Sequence, residues 1–135
     1  MLTSTVTYLG DLRTECRHVR SDSAFYTDAP VDNNGKGESI SPTDMCATAL
    51  ASCALSIMAM SAGKQGIDLT GARADVTKHM GIGPRRIVKI EVAFHIPGAN
   101  LSQEVRNALM AEVDNCPVCH SLHPDIQRVI SFNWV

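Results

Sequence analysis

Polar and apolar residues alternate along the first thirty positions. Val6 and Tyr8 interleave with Thr5 and Thr7, TECRHV follows a turn at Gly10-Asp11, and SAFYTDA runs on after Ser21-Asp22. A period of two, broken by Gly and Asp, predicts a meander of three short strands. PVDNNGKGES, from Pro30 to Ser39, collects Pro, Asn, Gly and charge and predicts a loop. The pattern then changes, because Met45 to Ala62 carries no charged residue. In front of it, Ser41-Pro42-Thr43-Asp44 supplies an N-cap serine, a proline at the first helical position and an acid three residues after the cap. A long helix follows, closed by Gly63 and Gly66.

Beyond it, TGARADVTKHM and RRIVKIEVAFHI read as two strands of a hairpin joined by GIGP. In the second, Val88, Ile90, Val92, Phe94 and Ile96 share one face, while Lys89, Glu91 and His95 take the other. LSQEVRNALMAEVDN then places Leu101, Val105, Ala108, Leu109 and Val113 on one helical stripe. A short helix in DNCPVCHSLHPD and a last strand in IQRVISFNWV complete the chain, with Ile126, Ile130, Phe132 and Trp134 in register on one face. The order βββ-α-ββ-α-short α-β predicts an α+β fold, with helices packed against antiparallel sheet or sheets. At 135 residues the expectation is a single domain over residues 1–135.

The apolar run approaches the roughly 18 residues at which a membrane span becomes worth weighing. It is rich in Ala, Ser, Thr and Cys and lacks the Leu, Ile and Phe density of a lipid-facing helix. It reads instead as a helix buried on nearly all sides, which in so small a domain calls for a partner subunit. A net charge of -2 from 12 basic and 14 acidic residues, without long runs, leaves no footprint for nucleic acid or an anionic membrane. Small molecules or proteins are the expected partners. The N-terminus shows no basic start followed by an apolar core, so a cytoplasmic location is expected. Five cysteines in a reducing compartment argue against a structural disulfide framework.

The cysteines differ in what surrounds them. Cys53, within ALASCALS on the apolar helix, reads as a small hydrophobe filling a tight helix contact. Cys46 lies seven residues earlier on nearly the same face, and Cys16 sits on a strand; both read as packing. Cys116 directly precedes Pro117, so it is the expected N-cap of a helix, where free amides and the helix dipole favour a thiolate. Cys119, one turn in, makes a Cys-x-x-Cys redox pair with it, although that motif ordinarily follows a strand and here follows a helix. Cys116, Cys119, His120 and His123 also carry zinc-ligand chemistry, but four donors within eight residues converge poorly on a tetrahedron. His18, His79 and His95 fall on strands among polar neighbours and read as solvent-facing.

Taken together, SPTDMCATALASC, ending at Cys53, and NCPVCHSL, containing Cys116, resemble the OsmC/Ohr family. The intervening LTGARADVTKHMG and RRIVKIEVAFHIPGANLSQEVRNAL are similar to that family's hairpin and following helix. The resemblance runs from about Ser41 to the C-terminus and more loosely through the N-terminal strands. It implies an intertwined homodimer with the two cysteine-bearing helices at its centre, acting as a thiol-dependent peroxidase on organic hydroperoxides. Cys53 would then be the peroxidatic thiol and Cys116 the resolving thiol, with the resulting disulfide reduced by an external dithiol and no metal, haem or flavin required.

The same resemblance implies a catalytic arginine from the N-terminal strands, for which Arg13 is the nearest match and Arg17 and Arg20 are neighbours. It also implies a glutamate just after the helix-opening proline, where this chain has Thr43. Asp44 is adjacent, but one residue along a helix turns a side chain by about 100° and Asp is a methylene shorter. Asp44 and Glu38 are the candidate replacements. This departure points to the OsmC-like proteins outside the well-defined Ohr and OsmC peroxidase subgroups. A reading from another class is a dimeric protein that binds a lipid-like small molecule or senses redox state without efficient turnover.

Overall fold

The N-terminal meander forms from β1 (Ser4–Gly10), β2 (Arg13–His18) and β3 (Ala24–Asp28), paired antiparallel in the order β1-β2-β3. A computed structural model describes residues 1–135 and divides them into two units, Met1–Cys46 and Ala47–Val135. In the first, Gly10 at φ 89° starts the reversal into β2, a left-handed conformation that glycine adopts without steric cost. Val6, Tyr8, Phe25 and Tyr26 all remain exposed on this sheet. Its ordered centre is instead polar. Thr27 and Asp28 are buried, the Asp28 amide donates to Ile40 O at 3.1 Å, and the Glu38 amide donates to the Asp28 carboxylate at 3.1 Å. The loop after β3 is thereby tied back to the strand that precedes it.

Helix α1 (Pro42–Gly63) starts where its sequence predicts. The Asp44 amide donates to Ser41 Oγ at 3.0 Å, and the Ser41 amide donates to Asp44 Oδ2 at 3.1 Å, a reciprocal capping box built with aspartate. Its buried residues are Ala47, Leu50, Ala51, Ala54, Met58 and Ala62, a single stripe at helical spacing. Within one chain, therefore, the helix is covered along one face and not on nearly all sides. By length and hydropathy it is apolar enough to cross a membrane.

The second sheet is ordered β4-β5-β6, from β4 (Arg73–Gly81), β5 (Arg86–Ile96) and β6 (Gln127–Trp134). The β4–β5 hairpin is antiparallel, as expected, but β6 pairs parallel to β5 from Lys89↔Gln127 to Ile96↔Trp134. The sheet is thus mixed, within an α+β fold of the expected element order. A parallel return needs a crossover, and the crossover carries α2 (Gln103–Ala111), a 3-10 turn (Glu112–Asn115) and α3 (Pro117–Ser121). Ser102 caps α2 by accepting from the Val105 amide at 3.2 Å. Leu109 and Val113 are buried as predicted, whereas Ala108 faces solvent. It flanks the stripe, and its single methyl has little apolar area to bury.

β5 is the central strand, and Ile90, Val92, Phe94 and Ile96 are at most 1% exposed. Val88 does not join them. His79 pairs with Lys89 and Met80 with Ile87, so Val88 is the extra residue of a β-bulge; Ile87 takes the buried position and Val88 is exposed. The sequence alternation is correct beyond the bulge and shifted before it. Phe132 of β6 stacks between Phe94, at 5.3 Å between ring centroids, and Trp134, at 6.3 Å.

Val88 also explains Gly81, since a Cβ there would lie 2.5 Å from Val88 Cγ1 and the branched side chain has little freedom to turn away. Gly81→Ala is expected to cost about 1–3 kcal/mol of unfolding free energy in urea titrations. Adding Val88→Ala should return most of that loss.

Candidate active site

Two cysteines distant in sequence meet in the Ala47–Val135 unit. Cys53 lies three residues beyond Leu50, about 60° round the helix from it, and so occupies the edge of the buried stripe, half-buried. Cys116 is fully buried between the 3-10 turn and α3. Cys53 lies near enough to act on the Cys116 thiol, and Cys116 Sγ lies 4.0 Å from the Leu50 carbonyl as a weak donor. Helix α1 and the crossover thus present one pair of sulfurs.

Cys116 is the N-cap of α3, as its place before Pro117 predicts, with φ -68° and ψ 120°. The electrostatic consequence differs from expectation. Burial raises its pKa above the ordinary thiol value, and the hydrogen bond and charge of Cys53 raise it further. The Val118 and Cys119 amides pull it down without overcoming those effects, and the side chain closes no capping hydrogen bond of ordinary geometry. A helix N-terminus supplies amides, but here the removal of water decides the net direction.

Cys119 is also buried, and its sulfur accepts from the Arg128 guanidinium. Sequence reading missed Arg128. Nothing in QRVIS distinguishes it from a solvent-facing strand residue until the turn at His123–Ile126 brings β6 beside α3. His120 is exposed, and His123 accepts from the Asp125 amide at 3.0 Å. No group of three or more His, Cys, Asp or Glu side chains gathers in metal-holding geometry. His79 and His95 pair with Glu91 and Asp75 at 2.6 and 2.9 Å, so they are partnered rather than merely facing solvent.

The other candidates lie in the Met1–Cys46 unit. Arg13 donates to both Asp28 oxygens at 2.7 Å and to Glu38 at 3.1 Å, with its guanidinium 5.9 Å from the Tyr26 ring centroid. Arg17 instead pairs with Asp22 and Glu15, and Arg20 is exposed. Of the three, Arg13 alone is fixed by a bidentate carboxylate. The Arg13 hydrogen bonds hold the Asp28 carboxyl below the usual carboxylate range, against the opposing effect of its burial, with the Glu38 and Ser39 amides assisting. Asp44 receives the Ser41 amide, and Thr43 Oγ1 lies 3.3 Å from Ser41 Oγ. Sequence reading missed Asp28 as the partner of Arg13, because a TDA segment at a strand end reads equally well as a turn.

A sequence profile described as OsmC-like protein matches residues 35–130. The chain belongs to the OsmC-like family. Among solved structures, a Psychrobacter arcticus protein named for an osmotic stress induced and detoxification response is 44% identical, with a TM-score of 0.94 over 98% of this chain and 96% of that one. At 20% identity, the Legionella pneumophila organic hydroperoxide resistance protein OsmC shares the fold, with a TM-score of 0.72 over 98% of each chain. An organic hydroperoxide resistance protein from Elizabethkingia anophelis, 16% identical, does so with a TM-score of 0.76 over 100% of this chain and 98% of that one. None of the curated proteins matches this chain.

Two titrations follow from these environments. Cys116 is expected to ionise above the ordinary thiol range by cysteine Cβ NMR, and Cys53→Ala should lower its midpoint by removing a neighbour that favours the neutral form. The lowered Asp28 pKa contributes stability that is present above the unfolded carboxylate value and is lost as pH falls through the folded one. The stability difference between wild type and Asp28→Asn in urea titrations should therefore narrow on acidification.

Proposed function

We propose that this OsmC-like protein reduces organic hydroperoxides with thiol chemistry, using Cys53 as the peroxidatic thiol and Cys116 as the resolving thiol. The observation that carries the reading is the seating of the buried Cys116 sulfur against α1, 4.0 Å from the Leu50 carbonyl and close enough to Cys53 for that thiol to raise its pKa. Cys53 attacks the distal peroxide oxygen, releasing an alcohol and leaving a sulfenic acid on Cys53. Cys116 then condenses with it, losing water and forming a Cys53–Cys116 disulfide, which an external dithiol reduces. No metal, haem or flavin enters this cycle. The half-buried position of Cys53 supports its meeting substrate, and the burial of Cys116 supports its keeping a proton until a sulfenic acid appears beside it.

Arg13 is proposed to orient the peroxide and thiolate, a role supported by its rigid bidentate anchoring. Asp44 is the proposed replacement for the carboxylate absent at Thr43, and its engagement in the capping box favours slow turnover. That engagement is also the observation in favour of the second reading, a lipid-like ligand binder or redox sensor with little catalysis. Residues 1–135 are read as one domain that works as an intertwined homodimer in the cytoplasm. Support for the dimer comes from α1, uncharged from Met45 onward and covered on one face only, and from the exposed Val6, Tyr8, Phe25 and Tyr26 of the N-terminal sheet. Neither nucleic acid nor membrane is a proposed partner.

Consumption of cumene hydroperoxide with a dithiol reductant tests the reading. Cys53→Ser should fall to the uncatalysed rate. Cys116→Ser should consume about two to three equivalents and then stall with Cys53 overoxidised to the sulfinic or sulfonic acid. Turnover by Cys53→Ser equal to wild type would falsify the mechanism.

A further inference from the structure

The proposed cycle leaves Cys119 unused, although it shares a turn with Cys116. Cys116 is the extended N-cap of α3, Pro117 is the first helical residue, and the His120 amide donates to Cys116 O at 3.2 Å to close the turn. An N-cap side chain stands over the third helical residue, which is Cys119. Residues so related fall in the roughly 4.4–6.8 Å range of Cα separations that a disulfide spans. Cys116 therefore has one thiol neighbour on α1 and a second within its own turn.

The surroundings of Cys119 are not those of a packing residue. Its sulfur accepts from the Arg128 guanidinium, a fixed positive charge at its side. Two cavities meet at this pair. One, of about 170 Å³, is lined by Leu50, Val113, Asp114, Cys119, Arg128 and Ile130. The other, of about 480 Å³, is lined by Cys119, His120, Leu122, His123 and Arg128 among others. A wholly apolar packing site would need neither the guanidinium nor the second cavity.

We propose that Cys119 is a second resolving thiol, which draws the disulfide away from Cys53 and presents it at the His120–His123–Arg128 cavity to the external dithiol. The step rests on the peroxidase reading above. Cys119 gives its proton to solvent, and its thiolate attacks the Cys116 sulfur of the Cys53–Cys116 disulfide. The Cys116–Cys119 bond forms, the bond to Cys53 breaks, and the electron pair leaves on Cys53 as a thiolate. One disulfide is exchanged for another, so no oxidant or reductant is consumed. Cys53 is thus free for a second peroxide before any reductant arrives. The external dithiol then attacks Cys119 from the cavity, returning two thiols and leaving as its own disulfide.

Peptide mapping separates the two disulfides, because trypsin places Cys53 on residues 37–64 and both Cys116 and Cys119 on residues 107–128. Wild type treated with one equivalent of cumene hydroperoxide, then quenched with acid and alkylated, should yield peptide 107–128 lighter by two hydrogens and not linked to another peptide. Cys119→Ser and the smaller-side-chain Cys119→Ala should instead yield 37–64 cross-linked to 107–128 through Cys53. Arg128→Met should slow the passage from the cross-linked to the internal form several-fold in a quenched time course. A wild-type protein that retains the Cys53–Cys116 link throughout that time course overturns the relay and leaves the peroxidase reading intact. Absence of oxidation at Cys53 in every variant overturns both.

Discussion

The Ala47–Val135 unit depends on the narrow buried stripe of α1. Leu50 and Met58 are the large residues on it, each stabilising the fold by roughly 1.5–3 kcal/mol when buried, and four alanines fill the turns between and beside them. Small side chains let the neighbouring backbone approach closely. That approach sets the Cys116 sulfur against the Leu50 carbonyl and the Cys53 thiol, since Cys53 is the polarizable residue at the edge of the same stripe.

In the proposed cycle, burial divides the work between the thiols. A resolving thiol needs no low pKa of its own, because it meets an electrophilic sulfenic acid already held beside it. A higher pKa also brings greater intrinsic nucleophilicity to the fraction that ionises. The raised Cys116 value therefore fits a group kept silent until its neighbour is oxidised. Cys119 differs from it in having a guanidinium at its sulfur and cavities around it, the setting expected of a sulfur that exchanges with an outside thiol.

The Met1–Cys46 unit works by polar fixation. With its sheet residues Val6, Tyr8, Phe25 and Tyr26 exposed, the Arg13–Asp28–Glu38 cluster and the Asp28–Ile40 hydrogen bond supply local order that apolar burial does not. The buried Asp28 carboxylate keeps its charge because Arg13 and two amides satisfy it. In return, Arg13 is held in one orientation. A guanidinium in that condition suits the positioning of an anion better than the more exposed Arg17.

Local chemistry was legible in the sequence wherever neighbours in the chain are neighbours in space. The capping box of α1, the three-strand meander, the β4–β5 hairpin and the Cys116-Pro117 cap follow from turn residues, period-two alternation and N-terminal capping, all of which act over a few positions. The resemblance added the fold and the expectation that Cys53 and Cys116 belong together. The tertiary structure decided what depends on segments far apart. The parallel pairing of β6 follows from the crossover, the exposure of Val88 from a bulge set by its partner strand, and the raised Cys116 pKa from water excluded by α1. The contacts of Arg13 with Asp28 and of Cys119 with Arg128 have the same origin. Hydrogen bonds and burial between distant segments leave no periodicity in a sequence, because each partner alone reads as an ordinary surface or core residue.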